Sequence, residues 1–181
     1  MTGKSAHSPT VSGVEIPGLG PVTLDDQLGW YVSGPLPVAV LGATCRVAVA
    51  RYDDDPAKED FHTVISTFLA LDPSVLRAAE SSIFEYYQDE TAAVIAGNDW
   101  DWYVEIPRSE DVWQHIEIGP YVHIERDHHD DRRIYVSVEC ECDWEVEHGL
   151  QIVFREGRYV SKVGPYDGHP TNPNGVVYRR H

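Results

Sequence analysis

Residues 140–149, CECDWEVEHG, set two thiols, four carboxylates and an imidazole side by side. Asp143, Glu145, Glu147 and His148 fall within six positions. Carboxylates beside an imidazole could ligate a divalent cation: calcium or magnesium through the carboxylates, zinc or manganese by recruiting the histidine. The same groups could form a general acid–base pair and support a metal-assisted hydrolase. The spacing is neither an HExxH zinc helix nor an EF-hand loop, whose ligand spacing and central Gly are missing. The alternative is a strand-to-strand corner. There the acidic side chains cap backbone N–H groups, Trp144 plugs the core, and Gly149 supplies a positive φ.

The cysteines separate from that cluster. Structural zinc sites place roughly two to four residues between paired cysteines and need a second pair. Cys140 and Cys142 have one residue between them, and the remaining thiol, Cys45, is far away in the chain. In RRIYVSVECEC (132–142), Ile134, Val136, Val138, Cys140 and Cys142 share one strand face. Both thiols therefore belong in the core as small hydrophobes. Glu139 and Glu141 share the other face, solvated or bridged by a cation.

A second polar stretch is GPYDGHPTN (164–172). Asp167-Gly168 is a turn signal, and His169 follows it. A hairpin over 150–164, turning at Glu156-Gly157, would return this stretch to the neighbourhood of His148. The candidate functional cluster is then Asp143, Trp144, Glu145, Glu147, His148, Asp167 and His169. Its metal-ligating subset is Asp143, Glu147, His148, Asp167 and His169. Other polar runs read as structure. DHHDD (127–131) could bind a transition metal through His128 and His129 but is expected to be a solvated turn, and residues 53–55 suit a helix N-terminus. GLGP lacks the strand and helix of a nucleotide loop. No Ser or Cys nucleophile signature is present.

The elements that must position these residues are strands, then helices, then strands. CRVAVARY (45–52) alternates as a strand. Asp55-Pro56 and Asp72-Pro73 each announce a helix, with the Asp as N-cap and the Pro at the first helical position. Phe61, Ile65, Phe68 and Leu69 share a face of the first; Leu76, Ala79, Ile83 and Tyr87 share a face of the second. Residues 101–107 are a strand candidate, 111–119 fit a short helix or a strand, and 121–126 alternate. The order predicts an α+β fold, a mainly antiparallel sheet with a two-helix hairpin packed on one face. The expected organisation is a loose N-terminal segment (1–13), a single domain (14–172) and a C-terminal tail (173–181).

Composition narrows the function. Acidic residues outnumber basic ones 30 to 14, for a net charge of −16. Such a surface repels nucleic acid and favours cations or a basic protein partner. No apolar run approaches the roughly 18 residues of a membrane span, and the N-terminus is not a signal peptide. With three cysteines the chain is no disulfide scaffold, and a cytoplasmic location is expected.

The C-terminal half resembles the bacterial DUF6985 family, a domain of unknown function. The resemblance rests on the run from Cys142 to Leu150, the turn from Val153 to Gly157, and Asp167 to Thr171. IPGLGPV (16–22) is similar to the family's opening, so the resemblance spans most of the chain. Such domains resemble small acidic proteins of bacterial toxin–immunity neighbourhoods, which implies an immunity-type or regulatory role. The expectation is a non-enzymatic binding protein of a basic partner. The alternative is a divalent-cation-binding protein or hydrolase built on the Asp143–His148 and Asp167–His169 segments.

Overall fold

A computed structural model describes residues 13–180. The loose segment expected over residues 1–13 lies, Gly13 apart, outside the described residues. The described chain forms β1 (Val14–Ile16), β2 (Gly20–Asp25), β3 (Trp30–Ser33), β4 (Leu36–Val38) and β5 (Ala43–Ala50). Then come α1 (Lys58–Leu69), α2 (Ser74–Arg77) and α3 (Glu80–Gly97). The last strands are β6 (Ile116–Arg126), β7 (Ile134–Cys142), β8 (Leu150–Arg155) and β9 (Tyr159–Gly164). They make one sheet in the order β1-β2-β3-β5-β6-β7-β8-β9, with β4 also paired to β5. No helix among the described residues is long and apolar enough to cross a membrane.

The sheet is antiparallel except between β5 and β6. The helices lie between these two strands in the chain. A crossover through helices returns the backbone to the end it left, so the second strand runs parallel to the first. Beside β5, β3 and β4 act as one strand broken at Gly34-Pro35, where proline offers no ladder donor. Ser33 mends the gap: its Oγ accepts the Val47 N–H at 2.9 Å and donates to the Gly34 carbonyl.

The core lies between the helices and one face of the sheet. Ile134, Val136, Val138, Cys140 and Cys142 of β7 are all buried there, as the alternation predicts. α1 adds Phe61, Val64, Ile65 and Phe68, the last edge-on to Phe154 of β8. α3 adds Ile83, Tyr86 and Tyr87.

The helices start later than the Asp-Pro signals predict. The cap of α1 is Ala57, not Asp55. Asp55 Oδ1 does accept the Ala57 N–H at 2.9 Å, but its carboxylate is committed to the Arg126 guanidinium. Arg126 also reaches Asp60, so these charges pin the crossover to β6. The second expected helix is two. Asp72 Oδ1 accepts the Ser74 N–H and starts the one-turn α2. The Ala79 N–H then bonds Leu76, one residue short of the α-helical ladder, and α3 begins anew. α1 lies over β7, whereas α3 packs against a 3₁₀ turn at Ser109–His115 and the end of β9. Three helices laid on the sheet stand in place of the expected two-helix hairpin.

The strand expected over 101–107 is absent because another group takes its backbone bonds. The Tyr87 hydroxyl donates to the Val104 carbonyl and accepts the Ile106 N–H, which holds this segment on α3. Residues 111–119 divide between the 3₁₀ turn and the start of β6. The β8–β9 hairpin turns at Glu156-Gly157, both at positive φ as a type I′ turn demands.

Candidate functional site

The corner at 143–149 joins β7 to β8 and is built from its own side chains. Trp144 is buried and meets Tyr86 and Tyr87 edge-on, with ring centroids 6.1 and 5.9 Å away. Glu145 Oε1 accepts the N–H groups of Glu147 and His148 at 2.8 and 3.2 Å. Gly149 closes the turn at φ +60°; a Cβ there would stand 2.5 Å from the Cys140 carbonyl oxygen. Tyr86 donates to the Gly149 carbonyl at 3.0 Å. Asp143 Oδ2 lies 2.8 Å from His115 Nδ1, and Glu145 lies 3.6 Å from His148 Nδ1.

The thiols behind the corner are inert by environment. Burial pushes Cys140 and Cys142 each up to about 12. At pH 8 only about 10⁻⁴ of such a thiol is ionised. The native protein is therefore expected to leave both unmodified by iodoacetamide over an hour, read by intact mass. Rapid alkylation without denaturant would contradict their burial.

The outer side of the corner borders a cleft of about 700 Å³. Glu117, Glu139, Glu141, Asp143, Glu145 and Glu147 line it, with His115, His148 and Tyr166. Among the described residues no Lys or Arg lines it. Glu117 of β6 and Glu141 of β7 stand directly opposite each other in the ladder. Like charges so placed destabilise a sheet.

Asp167 and His169 come near this corner in the backbone but open elsewhere. The Tyr166 N–H donates to the His148 carbonyl at 3.2 Å. Beyond that point the chain turns away from the corner. Asp167 and His169 line a separate cleft of about 1240 Å³ with Asp127–Asp131, Tyr135 and Arg155. Among the described residues, no three His, Cys, Asp or Glu side chains are grouped so that they could hold a metal ion.

The group that draws Asp167 away is Lys162. A bulge in the β8–β9 pairing precedes it and sets it opposite Val153 on the sheet face away from the helices. Lys162 is 1% exposed and bonds the Asp167 carboxylate and, at 2.7 Å, the His169 carbonyl. Burial raises the Asp167 carboxyl; Lys162 and the His169 N–H outweigh it and hold the group below its ordinary range. The chain then returns to β9, where Val163 donates to the Val177 carbonyl. Tyr178, in the stretch expected to be a tail, is buried and donates to Asp89.

The same face carries further groups that sequence reasoning passed over. His123 of β6 lies edge-on to Trp30 and 3.6 Å from Glu139. Burial lowers its basicity against the pull of Glu139, and its Nδ1 has no partner among the described residues. Gln151 is buried and donates to Ser137 at 2.9 Å. The alternation of β7 gave a signal for Ser137 and Glu139. For Lys162 there was none, because a bulge resets the phase.

Comparison with known protein families matches residues 18–170 to the family described as Domain of unknown function (DUF6985). No curated protein and no solved structure matches the chain.

Proposed function

Because the chain belongs to the DUF6985 family, whose description assigns no activity, function must be argued from the site, and we propose a non-enzymatic binding protein whose corner cleft receives cationic side chains of a basic protein partner. The carrying observation is the opposed pair Glu117–Glu141, inside a cleft whose other charged or polar ionisable side chains are carboxylates, histidines and one tyrosine, beside the buried thiols of Cys140 and Cys142. Carboxylates held together without a cation lower the stability of the free protein. A Lys or Arg side chain entering the cleft relieves that repulsion, so the same feature that weakens the fold favours the complex. The net charge of −16 adds long-range steering of a basic partner.

Hexalysine tests the cleft. It is expected to bind at 20 mM NaCl and to be displaced by 300 mM, because exposed ion pairs are screened. The variant Glu117→Gln/Glu141→Gln/Glu147→Gln should bind about tenfold more weakly, since each exposed pair contributes at most about 1 kcal/mol. It should melt no lower than the wild type. Equal affinity for both proteins by calorimetry would remove the cleft from the mechanism. A large rise in melting temperature with calcium, magnesium or zinc, reversed by EDTA, would favour the divalent-cation reading instead.

A further inference from the structure

We propose that the end of α3 and the turn after it form a second contact surface for the same basic partner, one that takes an Arg or Lys lying beside an apolar residue. This rests on the reading of the protein as a binder of basic partners.

Tyr87 is the last buried residue of α3. The helix continues ten positions beyond it to Gly97, ~15 Å of axis at about 1.5 Å per residue. Its last turns read TAAVIAG, with no charged side chain. A solvent-facing helix end is ordinarily polar, and a run of exposed apolar residues is a liability unless something covers it.

The turn that follows enlarges the apolar surface. Ile95, Trp100, Trp102 and Tyr103 are 47%, 56%, 62% and 38% exposed. Trp100 is held in place: its Nε1 donates to Asn98 Oδ1 at 2.8 Å, and its ring meets Tyr103 at 5.8 Å. A rigid exposed aromatic loses little entropy on binding, and such residues dominate contact energies.

Charge says what covers this surface. Asp99 and Asp101 alternate with the two tryptophans, and both are exposed. Neither takes part in the ion pairs formed among the described residues. Tryptophan faces attract guanidinium and ammonium groups, and Arg stacks on them best. Aromatic faces interleaved with carboxylates therefore fit a cationic segment. A second copy of this chain would bring the same carboxylates and another net charge of −16.

The test uses a six-residue peptide of alternating Arg and Leu, with hexalysine as the apolar-free control. Four proteins are compared: wild type, Trp100→Ala/Trp102→Ala, the cleft triple variant, and all five changes together. The tryptophan variant should bind the Arg-Leu peptide about tenfold more weakly, keep its hexalysine affinity, and melt as the wild type does. The Trp102 indole N–H resonance should move when the peptide is added. Unchanged affinity for Arg-Leu in the tryptophan variant overturns the surface. If the cleft triple variant alone loses the peptide, the surface fails while the cleft reading stands. If the tryptophan variant alone loses it and the cleft triple variant binds hexalysine as tightly as the wild type, the surface stands and the cleft fails. Sedimentation of a wild-type dimer that the tryptophan variant dissolves would assign the surface to a second copy and overturn the proposal.

Discussion

Trp144→Ala is expected to lower stability by about 3–5 kcal/mol, the usual range for removing a buried Trp. The indole is 6% exposed and wedged against Tyr86 and Tyr87, which also belong to α3. Its loss opens a cavity under the corner and frees the turn that Glu145 and Gly149 close. Trp144→Phe should cost far less, roughly 1.5 kcal/mol or under. The reason is specific to this site: Trp144 Nε1 is buried with no partner among the described residues, and Phe removes that donor. Urea unfolding of both variants checks the contrast. Similar large losses in both would mean that the indole N–H is satisfied. Trp144→Ala should also weaken hexalysine binding, because the cleft stands on this corner.

Asp167→Asn should destabilise the protein by about 2–4 kcal/mol, below the usual range for breaking a buried pair because Asp167 is half-exposed. The loss arises from what stays behind: Lys162 is left charged and buried without a counter-ion. Lys162→Met should cost less, although it breaks the same pair. Met fills the buried stem position, and Asp167 turns to water. A simple count of lost salt bridges predicts equal effects, so the order of the two midpoints decides between the accounts.

The same pair makes a statement about pH. The folded Asp167 carboxyl lies below its unfolded value, as does that of Asp55 beside Arg126. For Asp55, burial raises the carboxyl, and Arg126 with the Ala57 N–H outweighs it. A depressed carboxyl contributes stability that is present above the unfolded value of about 3.9 and is lost as pH falls through the folded one. Wild type should lose stability as pH drops below about 4. Asp167→Asn should start lower and fall less steeply over that window. Parallel acid limbs in the two proteins would show that Asp167 titrates as it does in the unfolded chain.

Much of the frame was legible in the residues. Alternation placed Cys140 and Cys142 in the core, since a strand has only two faces and the polar residues claimed the other. Glu156-Gly157 announced its hairpin because few residue pairs accept two successive positive φ values. The corner announced itself too, as a buried Trp followed by a carboxylate, Glu145, that caps the turn.

What tertiary structure alone decided concerns groups far apart in the chain. Asp55 signals a helix cap by local rules, but the stronger partner is Arg126. Glu117 and Glu141 become an opposed pair only through the β6–β7 register, which the bulge at Gly119 sets; a Cβ there would lie 2.4 Å from the Glu139 carbonyl oxygen. Asp167 looked like a companion of His148, and the backbone does bring them close. The bulge before Lys162 turns that ammonium to the face away from the helices, and a buried charge must take the nearest carboxylate. Local rules count spacing along one chain, whereas desolvation acts on whatever the fold brings together.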